Sequence, residues 1–176
     1  MKIFIGCSSH TDIDNSCIED SIYIANKLSK WYDLNMGGLI DGGMMGNITN
    51  IFLDNNKEVN IYTLKLYGED FSDFRGDYKY LDNTFMRTSN LYNDSDKILF
   101  LPGGSGTFAE IFSMLEDLRT IDTKKEMILY NKDNYYTDII KLLNKAIKNK
   151  FNDINILDYI KVFNDKDDLI KYLEVK

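Results

Sequence analysis

In the stretch Lys97 to Glu110, KILFLPGGSGTFAE, residue types and spacing together could do chemistry. Ile98, Leu99, Phe100 and Leu101 form a continuous apolar run suited to a strand buried on both faces of a parallel sheet. Pro102 cannot donate to a strand ladder and ends it. Gly103, Gly104 and Gly106 then let a ligand approach the main chain, while Ser105 and Thr107 add hydroxyls. The turn opens a helix, whose free N–H groups and dipole favour an anion such as phosphate. It is not a Walker loop, because no Gly-Lys-Ser/Thr follows, and it lacks GxGxxG spacing. Glu110 has two readings. It is a carboxylate placed to act on whatever the loop holds, or, with Thr107 three residues before it, the second half of a capping box.

PGGSGTFAE resembles the PGGxGTxxE signature of the LOG ("Lonely Guy") family, also labelled lysine-decarboxylase-like. Pro102, Gly103, Gly104, Gly106, Thr107 and Glu110 fill its fixed positions. The family's arginine-lysine pair on the preceding helix is matched by Arg87 in FMRTSN, with Thr88 at the position of the lysine. The resemblance extends to KIFIGCSS at the start and to a second glycine turn, LIDGGMMG, which is shorter than the family's usual form. It implies a Rossmann-like fold, a homodimer, and hydrolysis of the N-glycosidic bond of a nucleoside 5′-monophosphate. AMP or a cytokinin-type ribotide would yield free base and ribose 5-phosphate.

The resemblance also assigns roles. Phosphate would rest on the N–H groups of Gly103 to Thr107, with the Thr107 and Ser105 hydroxyls donating. Glu110 would face the sugar, stabilising its positive transition state and positioning or deprotonating water. Arg87 would steady the departing base or the phosphate and keep Glu110 ionised. No metal or redox cofactor is called for. Two alternatives stay open. A nucleoside 2-deoxyribosyltransferase-like enzyme would form a covalent sugar intermediate, and a non-catalytic nucleotide-sensing module would explain Thr88 and the short turn from Asp41 to Gly46.

These groups need a frame of strands and helices to position them. Lys2 to Gly6 reads as a first strand, followed at its carboxyl end by Cys7, Ser8, Ser9 and His10. Ser8 and Ser9 suit phosphate or ribose, or simply a polar loop before a helix. Cys7 reads as a structural thiol. Ser16 and Glu19 form a second capping box, with Ile18, Ile22, Ala25, Leu28 and Trp31 at helical spacing to Tyr32. A short strand is expected at Leu39-Ile40, then the turn with Gly42 and Gly43 on the same sheet edge as the main loop, then a helix with Ile48, Ile51 and Phe52. Met44 and Met45 read as core.

Val59 to Leu66 reads as a strand, and Tyr67 to Asp82 as a polar loop whose Tyr67, Tyr78 and Tyr80 suit base stacking or an interface. Asn83 to Asp94 forms a helix carrying Arg87. Past Glu110, an apolar stripe with Phe108, Ile111, Phe112 and Met114 is wide enough for burial against both the sheet and a partner subunit. Strands at Glu126 to Tyr130 and Ile160 to Phe163 alternate with helices at Tyr135 to Lys150 and Asp167 to Leu173. The alternation predicts a doubly wound parallel α/β sheet with helices on both faces, and residues 1–176 as one domain.

Composition sets limits on partners. With 44% hydrophobic and 28% charged residues, 176 residues can bury a substantial core. The net charge of −7 argues against a nucleic-acid surface, and requires local donors to hold any anionic ligand. Cys7 and Cys17 make no disulfide framework and lack metal-ligand spacing, so they read as reduced thiols of a cytoplasmic protein. Neither a signal peptide nor a membrane span is expected.

Overall fold

A computed structural model of the chain describes residues 1–38, 41–67, 75–121, 125–152 and 155–174. Among the described residues seven strands form one sheet: β1 (Lys2–Gly6), β2 (Asp33–Met36), β3 (Val59–Leu64), β4 (Asp77–Leu81), β5 (Lys97–Phe100), β6 (Met127–Tyr130) and β7 (Ile160–Phe163). Their order is β4-β3-β2-β1-β5-β6-β7, and every pairing is parallel. The chain therefore steps outward from β1 to β4, then returns to lay β5 along the other side of β1. At that reversal the loops leaving β1 and β5 diverge, which opens a crevice at the carboxyl ends of the two strands. Gly6 of β1 is level with Phe100 of β5, so both loops start at the same height.

Alternation along the central strands divides the core between two faces. Ile3 and Ile5 point into a cluster with α1 (Asn15–Leu28), α2 (Gly43–Asp54) and α6 (Lys166–Leu173). Phe4, Ile98 and Phe100 point into the other, with α3 (Thr84–Asn93), α4 (Ser105–Thr120) and α5 (Thr137–Lys148). The sheet is thus a rigid buried platform, and α4, which starts at the loop after β5, has its apolar side locked against it through Ile111, Met114, Leu115 and Leu118.

Three local expectations are corrected. The second strand is Asp33–Met36, just before the glycine pair Gly37-Gly38, in a stretch between the first helix and the expected strand at Leu39-Ile40 to which no element was assigned; Leu39 and Ile40 lie outside the described residues. The first helix is capped by Asp14, whose side chain accepts from Ser16 N at 2.8 Å, so Ser16 sits inside the helix and no Ser16–Glu19 box forms. The expected polar loop from Tyr67 to Asp82 contains β4, whose Tyr78 and Tyr80 stack on each other with ring centroids 6.3 Å apart. Residues 68–74 of that loop lie outside the described residues. Among the described residues no helix is long and apolar enough to cross a membrane, and no group of three or more His, Cys, Asp or Glu side chains is placed to hold a metal.

Candidate active site

A cavity of about 570 Å³ sits over the crevice between β1 and β5. Its walls come from the loop after β1 (Cys7 to His10), the end of β2 with Gly37 and Gly38, Arg87 of α3, and the first turns of α4 from Gly104 to Glu110. Phe4, Met36 and Met45 supply an apolar side, with Thr63 and Tyr67 beyond them.

The start of α4 explains why an anion would settle there. Helices α1, α3 and α6 are each closed at the N-terminus by a side chain, from Asp14, Asn83 and Asp165. The N-cap of α4 is Gly104, which offers none. Its first-turn N–H groups have no intrahelical partner, and the residues carrying them, Ser105, Gly106 and Thr107, line the cavity. Thr107 is the third helical residue, and its hydroxyl donates to the Cys7 carbonyl at 3.2 Å. That bond ties α4 to the loop after β1, and commits the proton that the sequence assigned to phosphate. The Ser8 N–H donates to the Pro102 carbonyl at 3.1 Å, a second tie between the same two loops.

Gly103 is required by this packing. A Cβ there would lie 2.2 Å from Thr107 Oγ1 and 3.0 Å from the Cys7 carbonyl carbon. Gly103→Ala must therefore push Thr107 away and break its bond to Cys7. Chemical denaturation should show a loss of about 1–3 kcal/mol, the usual cost of overpacking; unchanged stability would mean the two loops are not locked together in this way.

Glu110 is not half of a capping box. The helix begins two residues before Thr107, and Glu110 lies past the first turn with its carboxyl buried, 9% exposed, against Arg87. Glu110 Oε1 is 3.4 Å from Arg87 Nη2, and the Arg87 side chain is itself only 15% exposed. Gly37 makes room for this carboxyl, since a Cβ at that position would stand 3.1 Å from Glu110 Oε1. Burial pushes the Glu110 pKa up to about 7, with the Arg87 charge pulling against it. Arg87 thus favours the ionised form of Glu110, as expected, but desolvation outweighs its pull. Arg87 lines the cavity, while its Nε is buried with no hydrogen-bond partner.

The structure brings Glu110, Arg87, Gly104, Ser105, Gly106, Thr107, Ser8 and Ser9 around one cavity. Gly103 lies behind the wall, and Gly42 and Gly43 lie away from it. Gly43 packs instead on the loop after β1, where a Cβ would meet the His10 carbonyl at 2.9 Å, and both glycines take positive φ, 80° and 57°. Cys7 sits on the floor as a buried thiol, pushed up to about 12 by burial and then by Glu110, far from a thiolate nucleophile. Met44 and Met45 are buried core residues as expected, and Met45 also reaches the cavity. Sequence reasoning missed Gly37, which has no side chain to suggest a role, and the tyrosines Tyr135 and Tyr136, which reach the loop after β5 from a distant part of the chain.

Residues 40–173 match a family model described as "Possible lysine decarboxylase". The chain is 28% identical over 123 residues to the probable cytokinin riboside 5′-monophosphate phosphoribohydrolase LOG4 of Oryza sativa subsp. japonica, covering 69% of this chain and 53% of that protein. It is 24% identical over 180 residues to the cytokinin riboside 5′-monophosphate phosphoribohydrolase LOG4 of Arabidopsis thaliana, covering 98% and 81%. The chain thus spans about half of the rice relative's length and about four-fifths of the Arabidopsis one. In three dimensions it superposes on the molybdenum cofactor carrier protein of Chlamydomonas reinhardtii with a TM-score of 0.72 at 14% identity, covering 98% of this chain and 94% of that one. That likeness is one of fold.

Proposed function

The chain belongs to the family described as "Possible lysine decarboxylase", that of the LOG proteins, and from that premise we propose that it hydrolyses the N-glycosidic bond of a nucleoside 5′-monophosphate. The observation that carries this reading is the buried Glu110 carboxyl beside Arg87, one helical stretch along α4 from an uncapped N-terminus on the same cavity. An α-helix rises about 1.5 Å per residue, so Ser105 and Glu110 are about 7.5 Å apart along the axis. That spacing suits a nucleotide whose phosphate sits on the helix start and whose anomeric carbon lies near the carboxyl.

The chemistry follows from the charges. As the base departs, positive charge builds on the ribose, and an ionised Glu110 in a dry wall stabilises it more strongly than water would. A carboxyl with a pKa of about 7 also accepts a proton from water near neutral pH more readily than an ordinary glutamate. Arg87, which lines the same cavity, is placed to donate to the leaving base or to the phosphate through its guanidinium. The first-turn N–H groups of α4, the Ser105 hydroxyl, and Ser8 and Ser9 across the crevice take the phosphate. The apolar side at Phe4, Met36 and Met45 accommodates a flat base, AMP and a prenylated adenine ribotide both being candidates. The exposed Phe112 on α4 and Phe85 on α3 provide apolar surface for the homodimer expected from the family.

A panel of nucleoside 5′-monophosphates assayed for released base tests the reading. AMP should be cleaved at least a hundredfold more efficiently than adenosine, because the phosphate contributes several charge-assisted hydrogen bonds. Equal turnover of the two would overturn the phosphate cradle. Thr88, buried in α3 where the family carries a lysine, favours one other reading, a binding module without turnover. Firm AMP binding with no base released from any nucleotide would establish it.

A further inference from the structure

The segment between β6 and α5, residues 131–136, is built to bring two tyrosines under the glycine loop. Asp133 and Asn134 both take positive φ, 50° and 64°, which aspartate and asparagine tolerate better than other side-chain-bearing residues. The buried Asn131 side chain accepts from Tyr136 N at 2.7 Å and donates to Asn164 Oδ1 at 2.8 Å, which fixes the turn. Two neighbouring hydroxyls are thereby delivered to two carbonyls of the loop after β5. Tyr136 Oη donates to the Leu101 carbonyl and Tyr135 Oη to the Gly103 carbonyl, each at 2.6 Å. The Tyr135 ring is held as well, stacked on Phe108 with centroids 6.2 Å apart and meeting the Tyr136 ring edge-on at 5.1 Å.

We propose that Tyr135 is a positioning residue for the phosphate site, fixing the Gly103–Gly104 peptide through its bond to the Gly103 carbonyl so that the Gly104 N–H is aimed into the cavity. The inference rests on the nucleotide reading above. A trans peptide is planar, with its C=O and N–H on opposite sides, so a hydroxyl that captures the carbonyl also sets where the next N–H points. This peptide joins two glycines, whose backbone freedom would otherwise let it rotate between orientations. Tyr135 takes up the Gly103 carbonyl and Gly104 lines the cavity, so the captured orientation is the one that turns the donor toward an anion. Tyr136 does a different job. The peptide after Leu101 leads into Pro102, which has no N–H to aim, so its hydroxyl only anchors the end of the strand.

The contrast between the two tyrosines supplies the test. Binding of AMP and of adenosine is measured by calorimetry for the wild type, Tyr135→Phe and Tyr136→Phe, alongside thermal unfolding and steady-state base release. In Tyr135→Phe the Kd and KM for AMP should rise about tenfold, the effect of one hydrogen bond to a charged group, with adenosine binding, kcat and Tm nearly unchanged. Tyr136→Phe should lower Tm while keeping the wild-type ratio of AMP to adenosine affinity. The proposal is overturned if Tyr135→Phe keeps the wild-type ratio, or weakens AMP and adenosine equally. A wild type that binds AMP but releases no base removes the hydrolase reading alone, because the affinity ratio still judges Tyr135. A wild type that binds AMP no better than adenosine removes both.

Discussion

Glu110→Gln is expected to cut base release from a nucleoside 5′-monophosphate by about a hundredfold or more, the usual loss when one positioned acid-base or electrostatic group is removed. Glutamine keeps the shape of the side chain and its ability to accept from Arg87, so the pocket should remain folded and Tm should shift by only a few degrees. What it loses is the negative charge that faces the ribose. A purely structural Glu110 predicts a different pattern. Helix starts tolerate glutamine where they tolerate glutamate, so a capping role would leave both stability and turnover intact. The geometry already speaks against capping, because α4 begins at Ser105 and Glu110 reaches Arg87 instead of a first-turn N–H. Base release by Glu110→Gln at the wild-type rate would end the proposed mechanism.

How much of this site was legible in the sequence depended on where chemistry and local structure use the same residues. The run ILFL, the proline and the glycines announced β5, its loop and α4, because a strand buried on both faces needs no polar alternation. Thr107 and Glu110 misled in one respect, since their spacing spells a capping box whenever the helix starts at Thr107. Only the packing of Gly103 on Thr107 and of Thr107 on Cys7 places the start two residues earlier. The strand Asp33–Met36 was hidden because its polar residues Asp33 and Asn35 break an apolar run; in the fold Asn35 is buried and donates to Ser95 Oγ at 2.8 Å. β4 was hidden for the opposite reason. It is an edge strand, half exposed and carrying Lys79, so its composition is that of a loop. The rise in the Glu110 pKa could not be read at all, since it comes from burial by residues distant in sequence, Gly37 among them, against the opposing pull of Arg87.

The same carboxyl should impose a pH dependence on both activity and stability, in opposite directions. If the ionised form of Glu110 acts on the free enzyme, kcat/KM rises about tenfold per pH unit on the acid side and levels off above pH 7, where the carboxyl has lost its proton. Stability moves the other way. The folded protein raises this acid from its ordinary value of 4.5 to about 7, so between those limits the folded state holds a proton that the unfolded chain has released. The contribution is full below pH 4.5 and is lost as pH climbs through 7, for a total of about 3 kcal/mol. Other carboxylates are shifted down, Asp20 and Asp94 among them, and lose stability as pH falls, so the raw curve mixes several groups. Comparison with Glu110→Gln isolates the one in question. The difference in unfolding free energy between variant and wild type, measured in urea from pH 4 to pH 8, should move by about 3 kcal/mol in favour of the variant. Arg87→Ala adds a check on the cause, because it removes the one charge that pulls the Glu110 pKa down. The acid limb of whatever activity remains should then shift to higher pH. Parallel stability curves for wild type and Glu110→Gln, together with a flat rate profile through neutrality, would mean that Glu110 stays ionised despite its burial, and that the site works as a fixed charge pair without a proton to exchange.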